Sequence, residues 1–253
     1  MIDSHCHLTY EELSLQLDAV LARAAAAGVD RMITIGTTLP DARLAVQLSQ
    51  MRAQIRCVIG IHPHSANEVT TEDLAALREL EREPGVLALG EMGLDYHYDF
   101  SPRLRQREVF LAQLNLANQT GRPIVLHCRE SIDEALEILK DYSHIPAVFH
   151  CFTGSIDEAH RILDRGYLLG FTGVVTFKKS DELRQIVQFV PADRMLLETD
   201  SPYLTPEPFR KQKVNEPAMV VHTAAAIAKI RGVDVEEVDR VTSENTRRFF
   251  GWA

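Results

Sequence analysis

The sequence predicts an α/β protein: a (β/α)8 TIM barrel, closed or distorted, with extra helices at its C-terminal end. Three observations carry that expectation. Short β-rich apolar runs alternate strictly with longer segments of helical period, the pattern of parallel strands joined by crossover helices. Eight such runs in 253 residues give about 32 residues per unit, which suits a barrel of roughly 250 residues. The first run ends in His5-Cys6-His7, where an open doubly wound sheet would normally carry a Gly-rich phosphate turn. Residues 1–253 are expected to form a single domain.

The expected strands are Met1–His7, Arg31–Thr37, Ile55–His62, Val86–Glu91, Pro123–His127, Pro146–His150, Tyr167–Thr172 and Met195–Asp200. Between them the helical period marks Glu11–Ala27, Asp41–Met51, Thr71–Leu80, Arg103–Gln119, Ser131–Lys140, Ser155–Arg165 and Asp181–Phe189. Two more helices, about Glu216–Arg231 and Val235–Phe250, finish the chain. Gly28, Gly121 and Gly166 stand just past helix ends, where a left-handed residue closes the last turn. Ser131 and Ser155 are each followed three residues on by Glu134 and Glu158, the capping-box spacing. Ser201–Pro217 holds four of the 11 prolines and reads as a long surface loop after the last strand.

Composition narrows the function classes. With 45% hydrophobic and 25% charged residues, the chain is neither a disordered tail protein nor a collagen-like repeat. No apolar stretch reaches the roughly 20 residues that cross a bilayer. The N-terminus has no basic segment followed by an apolar run, so no signal peptide is expected and a cytoplasmic location is. Cys6, Cys57, Cys128 and Cys151 are too few and scattered for a disulfide scaffold. The 27 Lys+Arg against 36 Asp+Glu give a net charge of −9, which argues against broad nonspecific coating of nucleic acid but leaves room for a locally basic site.

Six metal-type side chains fall at or near the C-terminal ends of expected strands: His5, His7, Glu91, His127, His150 and Asp200. In a barrel those ends converge on the face where active sites are built. Alternation along a strand points His5 and His7 the same way and Cys6 the other. The same parity turns Cys128 and Cys151 toward the helices as core thiols, and no Cys-x-x-Cys pair supports a zinc-thiolate site. A lone histidine at a strand end is ordinarily structural, and a lone acid there can simply cap a helix. Four imidazoles and two carboxylates together are harder to explain that way, because burying those acids without a cation is costly. Six ligands suit two divalent ions, with Glu91 able to bridge them, and two ions holding a water between them lead to hydrolysis.

These residues belong to longer motifs: Asp3-Ser4-His5-Cys6-His7, Gly60-Ile61-His62-Pro63-His64, Gly90-Glu91-Met92-Gly93-Leu94-Asp95-Tyr96, His127-Cys128-Arg129, His150-Cys151-Phe152-Thr153-Gly154, Glu198-Thr199-Asp200-Ser201-Pro202-Tyr203 and Asn215-Glu216-Pro217. As a set they resemble the TatD family of metal-dependent deoxyribonucleases, within the amidohydrolase-like TIM barrels. The resemblance implies that His5, His7 and Asp200 bind one ion, His127 and His150 the other, and Glu91 bridges. It further implies that Asp200 orients or deprotonates the attacking water. The implied activity is hydrolysis of DNA phosphodiester bonds by a hydroxide bridging two divalent metals, as a 3′-to-5′ exonuclease acting on a 3′ end or single strand. Magnesium is the ion associated with such activity, whereas the His-rich set itself favours zinc or manganese. Where related sequences commonly carry a His-Arg-Gly-Lys type stretch, this chain has Phe209-Arg210-Lys211-Gln212-Lys213, which keeps the charge without the His and Gly.

The resemblance also draws in His62 and His64 as contacts to a phosphate oxygen or the leaving group; otherwise they hold the loop through Pro63. Arg129 is expected either to clamp phosphate or to pair with Glu130 or Asp133. Lys178, Lys179, Arg210, Lys211 and Lys213 form a possible positive rim after strands seven and eight, or a solvated charge run. Tyr203 can stack on a base or cover the rim. Glu198 and Asp3 sit one layer below Asp200 and His5 as supporting groups. Asp95 and Tyr96 are expected to shape a loop, and Trp252 to anchor packing. The competing enzyme reading is a small-molecule hydrolase of amides, lactones or phosphoesters using the same ligands. A non-catalytic, metal-stabilised adaptor is the third reading. No membrane and no obligate protein partner are expected.

Overall fold

The computed structural model describes residues Met1–Trp252. Its elements run β1 (Ile2–Cys6), α1 (Glu11–Ser14), α2 (Leu17–Ala26), β2 (Arg31–Gly36), α3 (Leu39–Met51), β3 (Ile55–Ile59), α4 (Thr71–Leu80), β4 (Val86–Asp95) and α5 (Arg103–Thr120). They continue with β5 (Ile124–Arg129), α6 (Ile132–Ile138), β6 (Ala147–Phe149), α7 (Ile156–Leu163), β7 (Leu168–Phe171), α8 (Asp181–Phe189), β8 (Met195–Leu197), α9 (Val220–Arg231) and α10 (Val235–Phe250). The strands are hydrogen-bonded in sequence order, β1 to β8, with helix between each pair. This is the (β/α)8 class the alternation predicts, and the pair α9–α10 supplies the extra C-terminal helix.

Residues Met1–Thr34 with Cys151 onward make one compact unit, and Ile35–His150 make another. In the first, β1 pairs parallel with the start of β2, and β7 pairs with β8 through Leu169–Met195 and Phe171–Leu197. Helix α10 lies against β1 and β8, and Trp252 is buried beneath the Arg31 guanidinium, as its expected anchoring role requires. In the second unit, β3, β4, β5 and β6 pair in parallel, with α3 packed on β3 and α5 on β4. Two buried glutamines, Gln106 and Gln113, stand two turns apart on α5. Gln113 exchanges hydrogen bonds with both backbone groups of Ile61, and Gln106 does the same with Asp95, so one helix face holds the chain beyond β3 and at the end of β4.

Helix ends follow the punctuation in most places. Ser155 and Glu158 form the expected capping box, and Gly28, Gly121 and Gly166 take φ of +82°, +70° and +78°. Ser131 departs from it. It is buried, its Oγ donates to the Leu94 carbonyl at 2.7 Å, and Glu134 accepts instead from the Tyr96 hydroxyl at 2.6 Å. Long-range partners outcompete the local cap. The expected helix Glu11–Ala27 is broken between α1 and α2, where Gln16 turns back by an N–H bond to the Leu13 carbonyl. Ser201–Pro217 is also less of a free loop than its prolines suggest: Ser201, Pro202, Thr205 and Pro206 are buried, and the Asn215 amide donates to the carbonyls of Thr199 and Tyr203.

Three strand boundaries bear on the site. Strand β4 continues four residues past Glu91, with Met92, Gly93, Leu94 and Asp95 paired to Leu126, His127, Cys128 and Arg129. Gly93 permits this, because it adopts φ of +141° and any Cβ there would overlap the His127 carbonyl oxygen. Strand β8 stops at Leu197, so alternation does not place Asp200. Its backbone has φ of +55°, its N–H donates to the His5 carbonyl at 2.9 Å, and its own carbonyl accepts from Tyr203. Strand β6 stops at Phe149, which removes the parity argument for Cys151: that residue has φ of +44°, is half-buried, and places its Sγ 3.6 Å from Thr172 Oγ1. Cys128 is half-buried too, so of the three thiols expected in the core only Cys6 is fully buried.

Candidate metal centre

The first unit brings His5, His7 and Asp200 together. Their potential ligand atoms all lie within 4.8 Å of one another. Asp200 Oδ1 is 3.3 Å from His7 Nε2 and 3.7 Å from His5 Nε2. A buried carboxylate ties down the backbone beneath them. Asp3 accepts from the His5 N–H, the Thr199 N–H and the Thr199 hydroxyl, the last at 2.6 Å, which joins β1 to the segment carrying Asp200. Burial pushes the Asp3 carboxyl up to about 8 despite those bonds. Glu198 accepts from the Cys151 N–H, and Gly170 makes room for it, since a Cβ there would meet the carboxylate at 2.5 Å. Asp3 lies on β1 beneath His5 as expected, whereas Glu198, like Asp200, lies beyond the end of β8, where strand alternation does not place it. Tyr10, which no motif marks, stacks on the His7 ring at 4.6 Å.

The second unit gathers Glu91, His127 and His150 with the same mutual reach. Glu91 Oε1 lies 2.6 Å from His150 Nε2, 2.8 Å from His127 Nδ1 and 3.4 Å from His62 Nε2. Burial alone would raise the Glu91 carboxyl, but His150 and the other histidines outweigh it and hold the group well below the usual carboxylate range. Burial lowers the His62 pKa to about 4, with Glu91 only partly offsetting it.

Asp95 is the site residue that sequence reasoning assigned to the loop. Its Oδ2 lies 3.0 Å from His127 Nε2 and 2.8 Å from His64 Nε2. Burial opposes its charge, yet those imidazoles and the Tyr98 N–H together lower its pKa. On His127, burial lowers the pKa while Asp95 and Glu91 raise it further, so the net direction is up. Asp95 shares the parity of Glu91 and Gly93 only because β4 runs on past Glu91, an extension that no local signal marks. A carboxylate on the far nitrogen of a ligating imidazole fixes the ring and raises its basicity. Asp95→Asn is therefore expected to weaken metal binding about 10–100-fold, measured by titrating metal-free protein with Zn2+ in a calorimeter. Unchanged affinity would return Asp95 to a loop-shaping role.

The expected substrate contacts fall into two classes. His62 and His64 form a further group of mutually close donors with His127, their own rings 4.3 Å apart. Arg129 pairs with neither Glu130 nor Asp133. Its guanidinium lies 4.7 Å above the Tyr98 ring, and Glu130 takes His97 at 2.7 Å instead. Tyr203 is exposed, with its ring 6.3 Å from that of His7. Arg210 covers Phe177 at 3.9 Å and donates to the Thr205 carbonyl, while the Lys178, Lys179, Lys211 and Lys213 side chains are exposed.

Both three-residue groups fit a divalent cation chemically. Imidazole nitrogen with carboxylate oxygen is the donor mixture of zinc and manganese sites, and the buried acids need positive charge close by. Among the described residues no helix is long and apolar enough to cross a membrane.

Comparison with known proteins identifies the family. The family model described as TatD related DNase matches residues 2–251. A relative from Klebsiella pneumoniae named 3′-5′ ssDNA/RNA exonuclease TatD is 40% identical over 257 aligned positions, covering 99% of this chain and 98% of that protein. YabD of Bacillus subtilis, named an uncharacterized metal-dependent hydrolase, is 39% identical over 252, covering 99% and 98%. Among solved structures, the TatD homologue YJJV from Escherichia coli superposes with a TM-score of 0.95 at 29% identity, covering 100% of this chain and 98% of that one. The chain belongs to the TatD-related DNase family.

Proposed function

We propose that this metal-dependent hydrolase cuts phosphodiester bonds of single-stranded DNA from the 3′ end. The observation that carries the reading is the pair of His/carboxylate groups, His5–His7–Asp200 and Glu91–His127–His150, each with its ligand atoms within 4.8 Å. Each group would hold one divalent cation. Cations bound there supply Lewis acidity toward a phosphate oxygen and an attacking water.

The chain's own residues do the rest. Asp200 orients the attacking water and takes its proton, a role that suits a half-buried carboxylate. Glu91 keeps its negative charge through the cycle, because histidines surround it. His62 is neutral at pH 7 and so donates a hydrogen bond to a phosphate oxygen without acting as an acid. His64, held by Asp95, is the donor assigned to the leaving 3′-oxygen. Arg129 supplies a guanidinium for a phosphate beyond the scissile one. Released nucleotides then carry 5′-phosphates.

The test is to incubate purified protein with a 3′-overhang oligonucleotide, its RNA counterpart, and a panel of esters, lactones and lactams. Release of 5′-mononucleotides that stops with EDTA and returns with added Mg2+ or Mn2+ is the expected result. Inert oligonucleotides beside turnover of a lactone or lactam would replace this reading with the small-molecule one.

A further inference from the structure

We propose that Tyr98 and Phe100, together with Arg129, form a stacking platform for an unpaired nucleobase of the strand being cut. The inference rests on the nuclease reading and gives it a way to hold a single strand. The two rings are stacked, 5.4 Å between centroids and 7° from parallel, and both face solvent, Phe100 with 64% of its surface exposed. With Tyr98 at 47% and Phe100 at 64% exposure, the pair leaves apolar ring surface open to a planar ligand.

Their segment is a built structure. Asp95 Oδ1 accepts from the N–H groups of His97 and Tyr98, each at 3.0 Å, closing a turn. Gln106 donates to the Ser101 carbonyl, and the Ser101 hydroxyl donates to the His64 carbonyl at 2.7 Å. The same bonds tie the platform to the metal-type ligands. The Phe100 ring is 4.8 Å from that of His64 at 88°, and His64 shares the Asp95 carboxylate with His127. A base on the outer face of Phe100 is therefore one side chain away from the group assigned to the phosphodiester.

The surroundings choose the occupant. The Arg129 guanidinium lies over Tyr98 and His97 packs edge-on against it, so planar and cationic groups border the rings. Parallel aromatic faces beside a guanidinium are what single-stranded nucleic acid uses, because every base has a π-face and every nucleotide a phosphate.

The experiment compares wild-type protein, Phe100→Ala and Phe100→Trp on two fluorescent single strands of about 12 nucleotides. One is normal and the other carries abasic sites over its 3′-terminal nucleotides. Dissociation constants come from anisotropy with EDTA present, and kcat/KM from cleavage with Mg2+. Phe100→Ala is expected to weaken binding of the normal strand roughly tenfold, to leave the abasic strand unaffected, and to be rescued by tryptophan. An equal loss on both strands, or no loss, overturns the platform. So does a wild-type dimer in sedimentation that Phe100→Ala dissolves without changing DNA binding, since the rings would then serve a second copy. Wild-type protein that cleaves neither strand removes the nuclease reading itself, a result distinct from normal cleavage that Phe100→Ala does not alter.

Discussion

Replacing Asp200 with asparagine is expected to lower kcat on a single-stranded oligonucleotide by about 10²–10⁴-fold, the range for loss of a positioned acid–base group. The substitution is a clean one for a conformational reason. Asp200 sits at φ of +55°, a left-handed conformation that most side chains resist and asparagine accepts. Its backbone bonds, N–H to the His5 carbonyl and carbonyl from Tyr203, ask nothing of the side chain. The fold should survive, read as an unchanged circular-dichroism spectrum and melting temperature, while the carboxylate facing His7 and His5 loses its charge. An unchanged turnover rate would take Asp200 out of the mechanism. A collapse of fold and rate together would make it a structural residue.

Gly93→Ala should be among the most damaging single-methyl changes in the chain. The new Cβ would overlap the His127 carbonyl oxygen and stand 3.0 Å from the carbonyl carbon, both backbone atoms of the neighbouring strand. Backbone cannot swing aside as a long side chain can. Steric overpacking and a non-glycine residue at φ of +141° together are expected to cost about 3–5 kcal/mol, a large part of a typical domain's stability. His127 moves with its strand, so metal affinity should fall as well. Gly121→Ala is the comparison, for it carries a positive φ with nothing within 4 Å of the added carbon and should cost only about 1–2 kcal/mol. Urea denaturation of the two variants decides the matter. Equal losses would mean that conformation, not close approach of β4 and β5, explains the glycine.

His5 and His7 were legible in the sequence because they close the first apolar run two residues apart, although β1 itself ends at Cys6. Glu91, His127 and His150 were legible because they end or closely follow apolar runs. Asp95 was not, since nothing local tells β4 to continue past Glu91. What extends it is the approach of another strand at Gly93, a contact 34 residues away in sequence. Ser131 shows the reverse error. Its spacing to Glu134 is a valid cap, yet the Leu94 carbonyl and the Tyr96 hydroxyl lie nearer in the folded chain and take both groups. Tyr98 and Phe100 carry no periodic or motif signal, so only their packing distinguishes them.

Residue order alone therefore determined the fold class, the succession of strands and helices, and which imidazoles and acids are available as ligands. Those depend on short-range periodicity and side-chain chemistry, which are written into neighbouring positions. The tertiary structure decided where each strand stops, how Asp200 is held beyond the end of β8, and that Asp95 links His64 to His127. Such outcomes arise from competition among hydrogen-bond partners distant along the chain, and that competition is settled only when the backbones meet.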